Sequence, residues 1–308
     1  MGLVVNDIQE LIGSTPLLRI TKFPLPEGVN IYAKLEYFNP GGSIKDRTCQ
    51  EMLQAAEEQG LIKPGSTIIE PTAGNTGVGL ALVALNKGYK IIFTVPEKFS
   101  KEKQELMMAL GAEIVHTKTS DGMAGAIAKA KELSKTIPGS FVPNQFANQA
   151  NPLAHYKTTG PEIYEQLERK VNVLIAGVGS GGTFTGVARY LKEQDSFIKA
   201  IAVEPENSVL KGGTPGGHRT EGIGVEFIPE TLDMNLVDDI YTVLDDDAFE
   251  MVKELALREG VLAGSSSGAA FWAALQEAPK QPPGTNIVVI FPDSSERYLS
   301  KAIYQGGI

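Results

Sequence analysis

Apolar runs of strand length alternate with amphipathic stretches of helix length from about residue 30 to the end of the chain. The runs expected to form strands are Ile31–Glu36, Thr67–Glu70, Lys90–Val95, Glu113–Thr117, Val171–Ala176, Ile198–Glu204 and Asn286–Phe291. The longer periodic stretches predict helices over Ser43–Gln59, Thr76–Asn86, Lys101–Leu110, Met123–Thr136, Pro152–Leu167, Thr183–Glu193, Asp246–Glu259 and Ser267–Glu277. A repeated β-then-α order implies parallel-rich sheets covered by helices on both faces, an α/β fold. Only Pro205–Asp239, rich in Gly and Pro and poor in periodicity, reads as a long loop.

The pattern divides near Asn144–Asn151, a stretch rich in Asn and Gln. Each half carries one local device, a strand running into a Gly-rich turn that opens a helix. It is IIEPTAGNTGVGLAL in the first half and VLIAGVGSGGTFTGV in the second. Two such halves imply two domains with a ligand between them.

Composition narrows the class. A chain of 308 residues with 42% hydrophobic and 21% charged residues is ordinary for a globular protein. The formal charge of −9, with no dense Lys/Arg stretch, argues against nucleic acid as a partner. Cys49 is the single cysteine and cannot form an intrachain disulfide, which fits a reducing cytoplasm. The N-terminal MGLVVNDIQE lacks the basic-then-apolar order of a secretory signal, and no apolar run reaches membrane-spanning length. His116, His155 and His218 lie far apart without metal-ligand spacing, so no metal site is expected.

The most informative polar run is NPGGSIKDR, Asn39 to Arg47. Ser43 reads as an N-cap with Asp46 as its capping-box partner, which puts Lys45 in the first helical turn. There the free backbone N–H groups and the helix dipole disfavour a cation, biasing the amine toward its neutral, nucleophilic form. Schiff-base chemistry needs that form. A solvated surface lysine beside Asp and Arg would look the same, and the Gly-rich turns carry the distinction.

In Gly177–Thr183, GVGSGGT, the glycines let backbone N–H groups approach a ligand and the next helix adds its positive end. The literal G-x-G-x-x-G, with Glu204 ending the next strand, leaves a dinucleotide, a phosphorylated cofactor and a structural turn all open. Thr72–Gly77, TAGNTG, is a second cradle whose hydroxyls and amide suit a small carboxylate, or a turn capped by Thr72 or Asn75. Gly264–Gly268, GSSSG, reads as an N-cap run whose small residues would let a flat ring lie close. In PDSSE, Asp293 or Ser294 is expected to cap the last helix.

A nucleophilic lysine, a phosphate cradle, a carboxylate cradle and a serine turn together describe a pyridoxal phosphate enzyme acting on an amino acid. GSTPL, NPGGSIKDR, EPTAGNTG, NQFANQANP, GVGSGGTFTG, EGIGVEFIP, GSSSGAA and PDSSERYLS follow one another in the order of the cysteine synthase and cystathionine β-synthase family. Nearly the whole chain, Ile12 to Ser300, resembles that family. Eight ordered motifs outweigh the single dinucleotide pattern. The resemblance implies the two-domain fold of tryptophan synthase β-like enzymes (fold type II), a homodimer, and pyridoxal 5′-phosphate as cofactor. A smaller mobile domain is expected over 42–150, and a larger one over 1–41 and 151–308.

By position, Lys45 resembles the lysine that holds the cofactor covalently and Asn75 the amide that meets its ring oxygen. Gly179, Ser180, Gly181, Gly182 and Thr183 match the phosphate loop, and Ser266 the hydroxyl at the pyridine nitrogen. Thr72, Gly74, Thr76 and Gln145 match groups around the substrate carboxylate. The chain has TAGNTG where many relatives have TSGNTG, so Ala73 brings no hydroxyl to that carboxylate. NPGGS, and Glu226 within GIGVEFIP, look more like cystathionine β-synthases than cysteine synthases, and Glu226 could receive the ammonium of homocysteine. The implied activity is β-replacement on O-acetyl-L-serine, with L-serine a poorer donor. Homocysteine, giving cystathionine, is favoured over sulfide, giving cysteine. A dehydratase, a non-catalytic binding protein and an NAD-dependent oxidoreductase are the more distant alternatives.

Overall fold

The structure, a computed structural model, describes residues 4–306; the first three residues of the N-terminal stretch read above lie outside them. Ten strands form two sheets. The smaller is built from β3 (Thr67–Pro71), β4 (Lys90–Pro96), β5 (Glu113–Thr117) and β6 (Ser140–Phe141), in the order β5-β4-β3-β6 and parallel throughout. The larger holds β1 (Leu17–Ile20), β2 (Asn30–Leu35), β7 (Val173–Gly177), β8 (Lys199–Pro205), β9 (Asp239–Val243) and β10 (Asn286–Phe291). Its order is β1-β2-β10-β7-β8-β9, and only the edge strand β1 runs antiparallel.

Nine helices cover these sheets among the described residues: α1 (Lys45–Glu58), α2 (Asn75–Val83), α3 (Lys101–Ala109), α4 (Gly122–Thr136), α5 (Ala150–Lys157), α6 (Thr159–Gln166), α7 (Gly182–Gln194), α8 (Asp245–Glu259) and α9 (Ser265–Glu277). The continuous apolar runs of the central strands follow from burial of both faces. Ile175, Ile201 and Val289 pack toward Phe271 and Leu255, while Leu174, Ala200 and Val288 pack toward Phe184 and Leu191. In the smaller sheet Ile68 and Phe93 face Met52 and Leu80, and Ile69 and Ile92 face Ala130.

All seven expected strands form, within two residues of their predicted bounds. Three others carry too little apolar signal: β1 is a short edge, β6 has two residues, and β9 starts where the presumed loop was to end. The expected helix Pro152–Leu167 is two helices, parted at Thr158 with φ −125° and ψ −67°. Pro161 has no N–H to give the Lys157 carbonyl four residues back, so the ladder breaks there.

The capping box expected at Ser43 and Asp46 is absent. The first helical residue is Lys45 and the cap position is Ile44. Ser43 instead pairs with Asp293 in a β-bridge, and its hydroxyl accepts the Lys45 N–H at 3.3 Å. The Asp46 carboxylate turns back to the Gly41 N–H at 2.5 Å. Side-chain caps are likewise missing at α2, α9 and the 3₁₀ helix Ser295–Lys301, where Gly74, Gly264 and Ser294 hold the cap positions.

What matters for chemistry is where the strands end. The chain leaves β2 toward Lys45, β3 toward Asn75, β7 toward the Gly-rich turn and β10 toward Asp293. These loops all leave the carboxyl ends of sheet strands, where open α/β sheets place ligands.

Candidate active site

One cavity gathers the two Gly-rich devices of the sequence. Lys45, Asn75, Gly179, Ser180, Gly181, Thr183 and Ser266 line it, with Asp293 and Gly222 closing other sides. Gly182 opens α7 directly behind this lining. A wider open groove bounded by Tyr37, Phe38, Leu106, Leu262 and Arg297 adjoins Ser294, and none of the sequence-predicted site residues lines it.

Lys45 stands at the start of α1 with burial pushing its amine below the ordinary lysine value; the nearby Cys49 and Asp293 pull weakly the other way. The sequence argument rested on the helix terminus, whereas loss of water is the largest cause here. Both favour the neutral amine.

The turn after β7 is an anion cradle of main chain. Among the described residues, the N–H groups of Gly179 through Thr183 donate to no backbone carbonyl or side chain. Five consecutive free donors at a helix N-terminus suit a phosphate. Gly181 adopts φ +85°, which a side-chain-bearing residue rarely tolerates. A Cβ on Gly182 would collide with Asn151 Oδ1. Asn151, from α5, donates to the Ser180 hydroxyl at 2.9 Å and to the Gln145 carbonyl at 2.8 Å. Buried His155 lies behind Thr183, its Nε2 at 3.2 Å from that hydroxyl and 3.0 Å from the Thr48 hydroxyl. Burial, with the charges of Arg47 and Lys45, holds His155 well below its usual value, so it is a neutral strut.

Around Asn75, Thr72 accepts the Gly74 N–H at 3.2 Å, and the Thr76 hydroxyl donates to Gln145 Oε1 at 2.8 Å. Thr72, Gly74, Thr76 and Gln145 thus cluster beside the cavity without lining its floor. Glu226 does neither. It is exposed and makes no hydrogen bond or ion pair among the described residues. Its neighbour Phe227 lies 6.0 Å from the Phe146 ring, next to Gln145.

Four contributors escaped the sequence reading. Glu70, buried at the end of β3, accepts the Asn144 N–H at 3.0 Å and so ties the Gln145 loop to the smaller sheet. Arg47 donates to Glu36 at 2.7 Å and Glu162 at 2.6 Å and anchors the turn that carries Lys45. Lys103 of α3 reaches Glu221 at 3.3 Å and lies 4.2 Å from the Tyr298 ring centroid. Asp293, read as a helix cap, instead accepts from Asn75 Nδ2 at 2.6 Å. A buried acid two residues beyond an apolar strand was the only available signal.

Burial raises Glu70 from 4.5 to about 7, against the hydrogen bonds from Asn144 and Gln145. A carboxyl whose folded value is raised contributes stability that is complete below 4.5 and is lost as pH rises through about 7. The loss amounts to about 3 kcal/mol. Glu70→Gln, which cannot ionise, is therefore expected to flatten the fall in unfolding free energy between pH 5 and pH 8. Urea titrations at both pH values check this; equal falls in variant and parent would refute it.

The groups present fit pyridoxal phosphate. A neutral-biased amine can take the aldehyde, five partnerless N–H groups the phosphate, and a hydroxyl and an amide the ring heteroatoms. Asn75 Oδ1 and Asp293 Oδ1, both on residues that line the cavity, are buried without a partner, which marks the cavity as polar.

Comparison with known proteins agrees with this fit. Residues 8–293 match the family described as pyridoxal-phosphate dependent enzyme. The chain is 57% identical over 305 residues to the O-acetylserine dependent cystathionine beta-synthase of Bacillus subtilis, covering 99% of each chain. It is 51% identical to a cysteine synthase of Helicobacter pylori, covering 98% of this chain and 99% of that one. The crystal structure of O-acetylserine dependent cystathionine beta-synthase from Helicobacter pylori superposes with a TM-score of 0.93 at 52% identity, covering 98% of this chain and 100% of the other. With a cavity that suits the cofactor and a match that spans most of its length, this chain belongs to the pyridoxal-phosphate dependent enzymes.

Proposed function

We propose that the chain catalyses β-replacement on O-acetyl-L-serine with homocysteine as acceptor, giving L-cystathionine. The observation that carries this reading is the 57% identity over essentially full length to an O-acetylserine dependent cystathionine beta-synthase. When bound, pyridoxal phosphate supplies an electron sink for charge left at the donor's Cα.

The residues divide the work. Lys45 would hold the cofactor, and its amine is the group that would take the Cα proton and later return it. The N–H groups of Gly179, Ser180, Gly181, Gly182 and Thr183 hold the phosphate, and Asn75 meets the ring oxygen. Ser266 meets the ring nitrogen with a hydroxyl, which unlike a carboxylate does not keep that nitrogen strongly protonated. Ser266 in that place would thereby suit elimination of the β-acetoxy group over competing outcomes. Thr72, Gly74, Thr76 and Gln145 hold the substrate carboxylate, with backbone N–H groups serving where Ala73 has no hydroxyl. Residues 42–150 act as a smaller domain that closes over the donor, the 72–77 loop following the carboxylate. The protein works as a cytoplasmic homodimer without nucleic acid; among the described residues no helix is long and apolar enough to cross a membrane.

A second reading, cysteine synthase with sulfide as acceptor, is favoured by the 51% identity to a protein of that name. One experiment separates the two. O-acetylserine supplied with equal sulfide and homocysteine is expected to yield mainly cystathionine, identified by mass spectrometry; mainly cysteine would establish the second reading. Glu226→Ala is expected to shift the preference toward sulfide. An unchanged ratio would remove the ammonium role from Glu226.

A further inference from the structure

Asp293 is 2% exposed and stands where three functional segments meet. Its backbone bridges Ser43, two residues before Lys45, and the preceding carbonyl of Pro292 accepts the Ile44 N–H at 2.9 Å. Its own carbonyl accepts the Gly264 N–H at 3.0 Å, two residues before Ser266. The side chain is wedged as tightly, since a Cβ on Gly264 would collide with Asp293 Oδ1. Oδ2 receives two donors, Asn75 Nδ2 at 2.6 Å and the Tyr298 hydroxyl. Burial, reinforced by Asp293, raises Tyr298 well above its usual value, so the phenol keeps its proton and remains a donor.

A primary amide carries two N–H donors on one end and an acceptor on the other, and its orientation is set by its neighbours. Oδ2 takes the Tyr298 proton and, as an acceptor toward Asn75, favours the amide with Nδ2 facing it over the flipped one. One Asn75 N–H is thereby used, which leaves one other donor on the amide, beside the Tyr298 hydroxyl and at the wall of the cavity. Without that restraint the amide could turn its oxygen toward the cofactor's ring oxygen, an acceptor facing an acceptor.

We propose that Asp293, braced by Tyr298, is a positioning residue for the cofactor: it locks the Asn75 amide so that its free N–H is presented to the ring oxygen. This rests on the role proposed for Asn75 and not on the choice of donor or acceptor.

The test uses full-length protein stripped of and reloaded with pyridoxal phosphate, without any amino-acid substrate. Its readouts are the cofactor dissociation constant, the position of the visible band, and the unfolding midpoint of the stripped protein. Asp293→Ala is expected to weaken cofactor binding about tenfold, the scale of one hydrogen bond, and to move the band. Asp293→Asn, which keeps an acceptor, is expected to restore most of both. In an Asn75→Ala background the Asp293→Ala change is expected to alter neither. The same factor with and without Asn75 would mean that Asp293 acts independently and would overturn the proposal. So would a lowered unfolding midpoint with unchanged affinity and band, which is the mark of a purely structural residue. Asn75→Ala binding as tightly as the parent would remove the role of Asn75 itself. Because no substrate is present, none of these outcomes depends on which thiol the enzyme uses.

Discussion

Lys45→Ala protein loaded with pyridoxal phosphate is expected to show no visible band of a covalently held cofactor and no β-replacement with either thiol. The two losses would share one cause, because in the proposed mechanism a single amine serves as both anchor and proton carrier. Loss of a positioned general base alone costs a factor of about 10² to 10⁴ in rate, and loss of the nucleophile adds to that. The structure sharpens the expectation. Burial holds the Lys45 amine below its ordinary value, and no other lysine lines the cavity. Absorption spectra and product formation, measured on the same preparation, check it. Turnover within about a hundredfold of the parent would take this lysine out of the reaction.

Arg47→Ala is expected to destabilise the protein by about 3 to 5 kcal/mol, the cost of leaving buried partners uncompensated. The guanidinium is fully engaged. Nε and Nη2 donate to Glu36 at 2.7 and 3.0 Å, and Nη1 and Nη2 to Glu162 at 2.6 and 2.7 Å. Lys34 joins through Glu162 at 2.8 Å. Burial would raise Glu162, but Arg47 and Lys34 overcome it and bring the carboxyl down to about 2. The network spans β2, α1 and α6, so its loss frees the turn that sets Lys45. Arg47→Lys should rescue little, since a point charge cannot serve two carboxylates in a fork. Urea unfolding of the stripped protein measures the effect, and a change below about 1 kcal/mol would show that the network contributes no more than a surface pair.

Much of this was legible in the chain, and the reasons are physical. Seven of the ten strands among the described residues were visible, most plainly where burial on two faces forces an unbroken apolar run, as in Asn286–Phe291. The Gly-rich turns were visible because close backbone approach leaves a compositional trace. The pairing of Ser43 with Asp293 was not, because it joins residues 250 positions apart. A serine three residues before an acid invited a capping box, yet other local N–H groups, those of Lys45 and Gly41, took the two side chains. The contacts of Asp293 with Asn75 and of Glu70 with Asn144 were missed because those partners are distant in sequence. His155 gave no metal-like spacing, and nothing in its neighbourhood announced a neutral strut between two threonine hydroxyls.

The turn after β7 offers its donors from peptide groups rather than side chains. A substitution along Gly179–Thr183, proline excepted, therefore deletes none of them; it does harm by adding bulk, as a methyl group on Gly182 would against Asn151. Tolerance there follows atomic volume and not polarity. Drift in the exposed stretch around Glu226 and Phe227 meets no such limit. With the roles proposed above, descendants of this scaffold would be able to exchange incoming nucleophiles while the grip on the vitamin stays as it was.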